Sequence, residues 1–352
     1  MKNFSNIKIL ALILAYSSFA MADHHASPEH DSQTKYVTHS QLGNPADVLE
    51  VKTEASRALN SGEVRVKVLA APINPSDLGL LLSFAADLST INKAGSGDET
   101  VTSMKINPSL MNDMKPRLDQ SMPVGNEGAG VIEAAGENAK DLIGKVVGLA
   151  GGAMYSQYRC VPASSCLVMN EGTSPADAAS SFVNPLTDLS FLETMKMENH
   201  TAIIHTAAAS NLVQMLVKIC KDDAVPLVNI VRKDEQVDIL KNLGAEYICN
   251  TSDDNFMENL VEALVETGAT LGFDATGGGN NGELPGQILS AMEIAANKTA
   301  KEYSRYGSDT YKQVYIYGGL DQSPTILKRA YGMFESKLVS RRMLNFSSIL
   351  SV

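Results

Sequence analysis

"TAIIHTAAASNLVQMLVKIC", residues 201–220, decides how the C-terminal half of this chain folds. "TAII" is a short apolar run of the kind that forms a buried strand. Small residues follow, and "NLVQMLVKIC" then carries apolar side chains at helical spacing. Strand, tight turn and helix in that order make the βα unit that receives nucleotides in doubly wound sheets. The usual G-x-G-x-x-G fingerprint is absent. Ala207, Ala208, Ala209 and Ser210 are nevertheless all small, so the backbone can come close to a phosphate. The N–H groups of the turn and the helix N-terminus supply the positive end. Ser210 or Asn211 can cap the helix and bond a ligand. An ordinary turn without a ligand is the other reading of the same residues.

Outward from this stretch the rhythm repeats. "PLVNIVR" (226–232) and "EQVDILKNLGA" (235–245), then "EYICNTS" (246–252) and "NFMENLVEALVETG" (255–268), alternate strand and helix. "ATLGFDATGG" (269–278) and "QVYIYGGL" (313–320) add strands. Apolar strands alternating with helices of 10–15 residues predict an α/β fold with a parallel, doubly wound sheet. The second strand ends in Arg232 and Lys233, where an NAD enzyme carries an acidic residue for the ribose hydroxyls. Two cations there suit a 2′-phosphate, so the predicted cofactor is NADPH; a solvated basic pair is the plainer alternative.

The first half reads differently. "GEVRVKVLAAPI" (62–73) alternates with period two, and residues 125–169 read as short strands between tight turns, the pattern of a β-rich barrel or sandwich. Residues 83–120 are polar and contain Gly and Ser, and read as a long loop. The boundary between halves falls at about residue 185, giving domains at 36–185 and 186–352. With 44% apolar and 20% charged residues the composition is that of a globular protein, and a net charge of −11 with no basic run excludes nucleic acid as a partner.

The N-terminus has Lys2 and Lys8, an apolar stretch from Ile9 to Tyr16, and Ala20-Met21-Ala22. These features describe a signal peptide at 1–22, too short for a stable membrane span, and argue for export. NADPH use argues for the cytoplasm instead. A polar linker with three histidines occupies 23–35. The four cysteines, Cys160, Cys166, Cys220 and Cys249, form no C-x-x-C pair; three sit in or beside apolar runs and read as small buried hydrophobes.

Five stretches in this order carry a resemblance: "INPSD" (73–77), "PVGNEGAGVI" (123–132), "NPLTDLSF" (184–191), the turn at 205–211, and "LKNLGAEYICN" (240–250). Together they resemble the medium-chain dehydrogenase/reductase superfamily, in its zinc-free quinone oxidoreductase and enoyl reductase branch. The resemblance covers roughly residues 36–340. It implies a GroES-like β-rich catalytic domain, a Rossmann domain, a homodimer, and NADPH-dependent reduction of a quinone or an activated double bond in a small-molecule substrate. A non-catalytic NADPH-binding protein on the same fold is the alternative, since fold does not fix function.

The resemblance also assigns residues. Zinc alcohol dehydrogenases of this superfamily have Cys where this chain has Asn74 and His where it has Asn126, and an amide is a poor Zn²⁺ ligand, so no metal is expected. Asn74 is the candidate for polarising the acceptor oxygen, Asp77 either positions it or caps the "NPSD" turn, and Thr187 is the match to the threonine beside the nicotinamide ribose. Enoyl reductases of the superfamily use a tyrosine donor a little after the Asn-Pro pair. "LGLLLSFAADLS" (78–89) has none, which leaves Tyr155, Tyr158 or water. Val213 stands where relatives often carry a glycine.

Overall fold

A computed structural model describes residues 34–42, 46–82, 86–112, 114–321, 323–328, 330–333 and 336–340. The signal-like segment 1–22, nearly all of the histidine-bearing linker and the terminal "RRMLNFSSILSV" lie outside these residues. The chain divides into two compact units, Met1–Val183 and Asn184–Val352.

In the first unit, β1 (Thr34–Leu42), β2 (Ala46–Ala55), β3 (Glu63–Ala70), α1 (Pro75–Leu81), β4 (Ala86–Ala94), β5 (Val101–Ile106), β6 (Ser121–Pro123), β7 (Glu127–Ala135), β8 (Val146–Ala150), β9 (Tyr158–Pro162), β10 (Leu167–Val168) and α2 (Pro175–Ala178) follow in order. They build two antiparallel sheets, β4-β5-β2-β1-β6 and β10-β8-β7-β3-β9. Val64 and Val66 on β3, Ile132 on β7, Val147 and Leu149 on β8 and Val161 on β9 fill the core under the second sheet. Their alternation along each strand is what the period-two pattern specifies.

The long loop expected at 83–120 is interrupted by β4 and β5, paired antiparallel and continued to β2. β4 is an edge strand whose side chains are largely exposed. A strand with little to bury is free to be polar, so its composition mimics a loop.

The second unit begins in α3 (Val183–Met197) and runs through β11 (Ile203–His205), α4 (Asn211–Asp222), β12 (Leu227–Val231), α5 (Asp234–Asn242), β13 (Tyr247–Asn250), α6 (Phe256–Thr267), β14 (Leu271–Asp274), α7 (Leu284–Thr299), β15 (Lys312–Ile316) and β16 (Ser336–Ser340). All pairings are parallel and the order is β13-β12-β11-β14-β15-β16. Read from the first strand this is 3-2-1-4-5-6, the Rossmann order, with its switch point between β11 and β14. β11, β12 and β14 are buried at every position, which explains their continuous apolar runs. On α4, Val213, Leu216, Val217 and Cys220 are buried at the i, i+3, i+4, i+7 spacing that keeps one face on the sheet. The predicted GroES-like and Rossmann fold is therefore the observed one.

The reading of three cysteines as buried holds for two: Cys220 and Cys249 are buried, while Cys160 and Cys166 are half-buried, and all four are free thiols. Cys160 on β9 and Cys166 beside β10 sit on strands at the two edges of their sheet, where cover is incomplete.

Candidate functional site

The site in the first unit grows from the "NPSD" turn after β3. Asn74 is the N-cap of α1, with Pro75 at the first helical position, where a missing N–H costs nothing. Asp77, three residues on, reaches back: one carboxyl oxygen accepts from the Asn74 backbone N–H at 2.8 Å, and the other from the Asn126 N–H, also at 2.8 Å. Asp77 is fully buried, and burial pushes its pKa up against the pull of these two N–H groups. The expectation that Asp77 positions Asn74 and the expectation that it caps the turn describe one contact.

The Asn74 side chain is buried and its Nδ2 donates to Glu127 Oε1 at 2.9 Å. The other oxygen of Glu127 accepts from the backbone N–H groups of Phe182 and Val183, each at 2.9 Å. Asn126 is in the same cluster, its Nδ2 donating to Ser76 Oγ at 2.9 Å. Tyr155 completes it. Its hydroxyl donates to the Pro72 carbonyl at 2.9 Å, and burial together with Asp77 and Glu127 pushes its pKa up. Gly125, at φ +99°, lets this ring in: a Cβ there would stand 2.7 Å from Cδ1 of Tyr155. Tyr155 thus shares the cluster with Asn74, while Tyr158 sits on β9, paired through its backbone to Lys67 of β3.

In the second unit the turn after β11 holds one strained residue. Ala207 adopts φ +51°, the left-handed region that glycine fills in the usual fingerprint. Ser210 is the N-cap of α4, its Oγ accepting from the Val213 N–H at 3.4 Å. That settles Ser210 rather than Asn211 as the cap; Asn211 is the first residue of the helix. The N–H groups of Asn211 and Leu212 have no partner within the helix, as first-turn geometry dictates.

Ala208 corrects an expectation. Its N–H is spent on the Ile230 carbonyl at 3.1 Å, and its side chain is fully buried in the apolar core with Val213 and Leu216. It supports the turn from beneath and cannot offer its N–H to a phosphate. Ala209 is half-buried. Arg232 and Lys233 are both exposed just past the end of β12, with Lys233 at the N-cap of α5. Thr187 lies on α3 and is half-buried, its carbonyl accepting from Ser190 Oγ at 2.7 Å.

Three features of this unit escaped the reading of the sequence. At the switch point, Thr206 Oγ1 donates to Asp274 at 2.7 Å and accepts from the Ala275 N–H at 2.9 Å, clamping the ends of β11 and β14 together. His205 is fully buried and burial pulls its pKa down to about 4. Its Nδ1–H donates to the Thr206 carbonyl, which leaves Nε2 to accept from the Tyr317 hydroxyl at 3.0 Å. Asp188, next to Thr187, is fully buried and neither carboxyl oxygen has a hydrogen-bond partner; burial pushes its pKa up to about 8. Polar residues inside otherwise apolar segments are the signal that marks all three. Among the described residues no group of three or more His, Cys, Asp or Glu side chains is placed to hold a metal ion, and no helix is long and apolar enough to cross a membrane.

No family model matches the chain. It is 24% identical over 283 residues to the mitochondrial enoyl-[acyl-carrier-protein] reductase of Homo sapiens, a match covering 76% of this chain and 66% of that protein. It is 28% identical over 222 residues to the corresponding protein of Xenopus tropicalis, covering 60% of this chain and 55% of that one. The chain thus spans just under two thirds of the human relative's length. Among solved structures, a quinone oxidoreductase of Pseudomonas syringae pv. tomato superposes with a TM-score of 0.57 at 17% identity, covering 90% of this chain and 82% of that one. The Etr1p complex with NADP and crotonyl-CoA superposes with a TM-score of 0.58 at 17% identity, covering 91% and 84%. In sequence the chain is similar to mitochondrial enoyl-[acyl-carrier-protein] reductases, and in fold to structures of quinone oxidoreductases and enoyl reductases.

Proposed function

We propose that this chain is an NADPH-dependent reductase that delivers hydride to a quinone or an α,β-unsaturated carbonyl without zinc. The observation that carries the reading is the turn after β11. It lies at the first strand of a 3-2-1-4-5-6 parallel sheet, opens onto a serine-capped helix N-terminus, and is itself made of small residues rather than bulky ones. The residues fit the cofactor: the Asn211 and Leu212 N–H groups with Ser210 would hold its pyrophosphate, and Arg232 and Lys233 its 2′-phosphate. When bound, NADPH supplies the hydride. Thr187 would hold the nicotinamide end, as the resemblance implies.

The protein's own chemistry lies with Asn74. Its Nδ2 carries a second hydrogen beyond the one given to Glu127, and that hydrogen is the donor for the acceptor's oxygen. Amides at 74 and 126, tied to Glu127 and Ser76, support a metal-free site, because neither is a competitive Zn²⁺ ligand. The Tyr155 hydroxyl is committed to Pro72, which favours water as the proton source.

The test is twofold. NADPH fluorescence titration of the wild type and of the Arg232→Ala/Lys233→Ala pair should show affinity falling on the order of 10²-fold, with NADH binding unchanged. Oxidation of NADPH at 340 nm against quinones and enoyl thioesters should then show turnover. Equal affinity for NADPH and NADH in the wild type overturns the cofactor assignment, and binding without turnover supports the non-catalytic alternative.

A further inference from the structure

Among the described residues of the first unit, Glu127 and Asp77 are the two fully buried acids, and Glu127 accepts from three N–H donors. It opens β7, is wholly shielded from water, and is ringed by N–H donors: Asn74 Nδ2 on one oxygen, Phe182 and Val183 N–H on the other, all at 2.9 Å. Val183 is the first residue of α3, so the second oxygen sits at the positive end of a helix. The first oxygen faces the one side-chain amide on which the proposed chemistry depends.

An asparagine amide has two ends of equal size and opposite hydrogen-bonding sense, and rotation by 180° about its last bond exchanges them. A donor at Asn74 is useful only if the NH₂ end is held in a fixed direction. The Asp77 carboxyl does not bond this amide, because it accepts from the backbone N–H of Asn74; the capping box brings only the Asp77 backbone N–H towards the Asn74 side chain. The two acids divide the work: Asp77 fixes the backbone and Glu127 faces the amide.

We propose that Glu127 is the positioning residue of this site, selecting the rotamer of Asn74 in which the amide nitrogen rather than the oxygen serves the acceptor. The proposal rests on the reading of Asn74 as the donor to the acceptor's oxygen. It identifies the group that makes that donor directional.

Glu127→Gln tests it, since an amide at 127 has one acceptor atom for donors arriving from two sides. If its oxygen keeps the two backbone N–H groups, its NH₂ faces Asn74, and the Asn74 amide must turn over. In E127Q the turnover number falls about tenfold or more, while the acceptor KM and NADPH affinity stay within about twofold. In an Asn74→Ala background the same change alters the turnover number by less than about twofold, because the amide it acts through is gone. Independently of activity, ¹⁵N NMR of the ligand-free protein should show one Asn74 side-chain proton shifted downfield by the carboxyl contact, and the shift should disappear in E127Q.

Additive losses in the double variant, full turnover in E127Q, or unchanged Asn74 amide signals each overturn the proposal. A wild type that reduces no acceptor overturns the proposed function, and the NMR comparison still decides whether Glu127 holds the amide. Should E127Q fail to fold, the reciprocal pair N74D/E127Q rebuilds the contact with donor and acceptor exchanged. It should fold and remain slow; an unfolded pair, or one at full rate, contradicts the assignment.

Discussion

Two acids are shut away from water in the two units, and their surroundings differ completely. Glu127 on β7 meets three N–H donors, whereas Asp188 on α3 meets none. Burial of a polar group costs free energy unless hydrogen bonds replace the lost water. Glu127 is therefore compensated and holds its neighbours in place. Asp188 is uncompensated, and burial drives its carboxyl towards the neutral form, up to about 8. Sequence position does not distinguish the two acids; their donors do.

Replacement by an apolar residue should separate them most strongly. Glu127→Leu strands three N–H groups and should destabilise the protein by about 3–5 kcal/mol. Asp188→Leu removes an unsatisfied group from an apolar core and should raise the unfolding midpoint at pH 8. Urea unfolding of both variants checks the signs, and a fall in both would erase the distinction.

The pH dependence sharpens it. Asp188 titrates near 8 in the folded chain and near 3.9 when unfolded, so between those values the folded state holds the extra proton. Stability from this group is intact below about pH 4, falls as pH rises towards 8 by up to about 1.4 kcal/mol per unit, and levels off above. The difference in unfolding free energy between wild type and Asp188→Asn should carry that slope across the window, because subtraction removes the opposing titration of buried His205, whose pKa is pulled down to about 4.

Smaller effects come from the two neighbouring alanines of the turn. Ala208→Leu overpacks the core beneath the turn and should cost about 1–3 kcal/mol of stability, not merely cofactor binding. Ala207→Gly relieves a left-handed residue and should stabilise by about 0.5–1 kcal/mol. Thermal midpoints of the two variants should move in opposite directions.

The doubly wound half was legible because its strands are buried on both sides and its helices on one, which writes continuous and 3.6-residue patterns into the chain. β4 was illegible for the opposite reason, since an edge strand buries little and keeps polar side chains. Asn74 and Asp77 could be found from the turn they form, because a capping contact spans only three residues. Glu127 could not: its partners lie 53, 55 and 56 residues away in the chain. Ala208 was misplaced because smallness alone does not tell a residue that admits a ligand from one that admits the core.

What most needs measuring is the transfer of hydride itself. NADPH deuterated at the transferable C4 position, incubated with the protein and an α,β-unsaturated thioester or enone, should give a saturated product heavier by about one mass unit, at a rate about 10²-fold lower in Asn74→Ala. Unlabelled product, or no product at all from a protein that binds NADPH, would contradict the reductase reading. Equal transfer by wild type and Asn74→Ala would remove Asn74 from the chemistry.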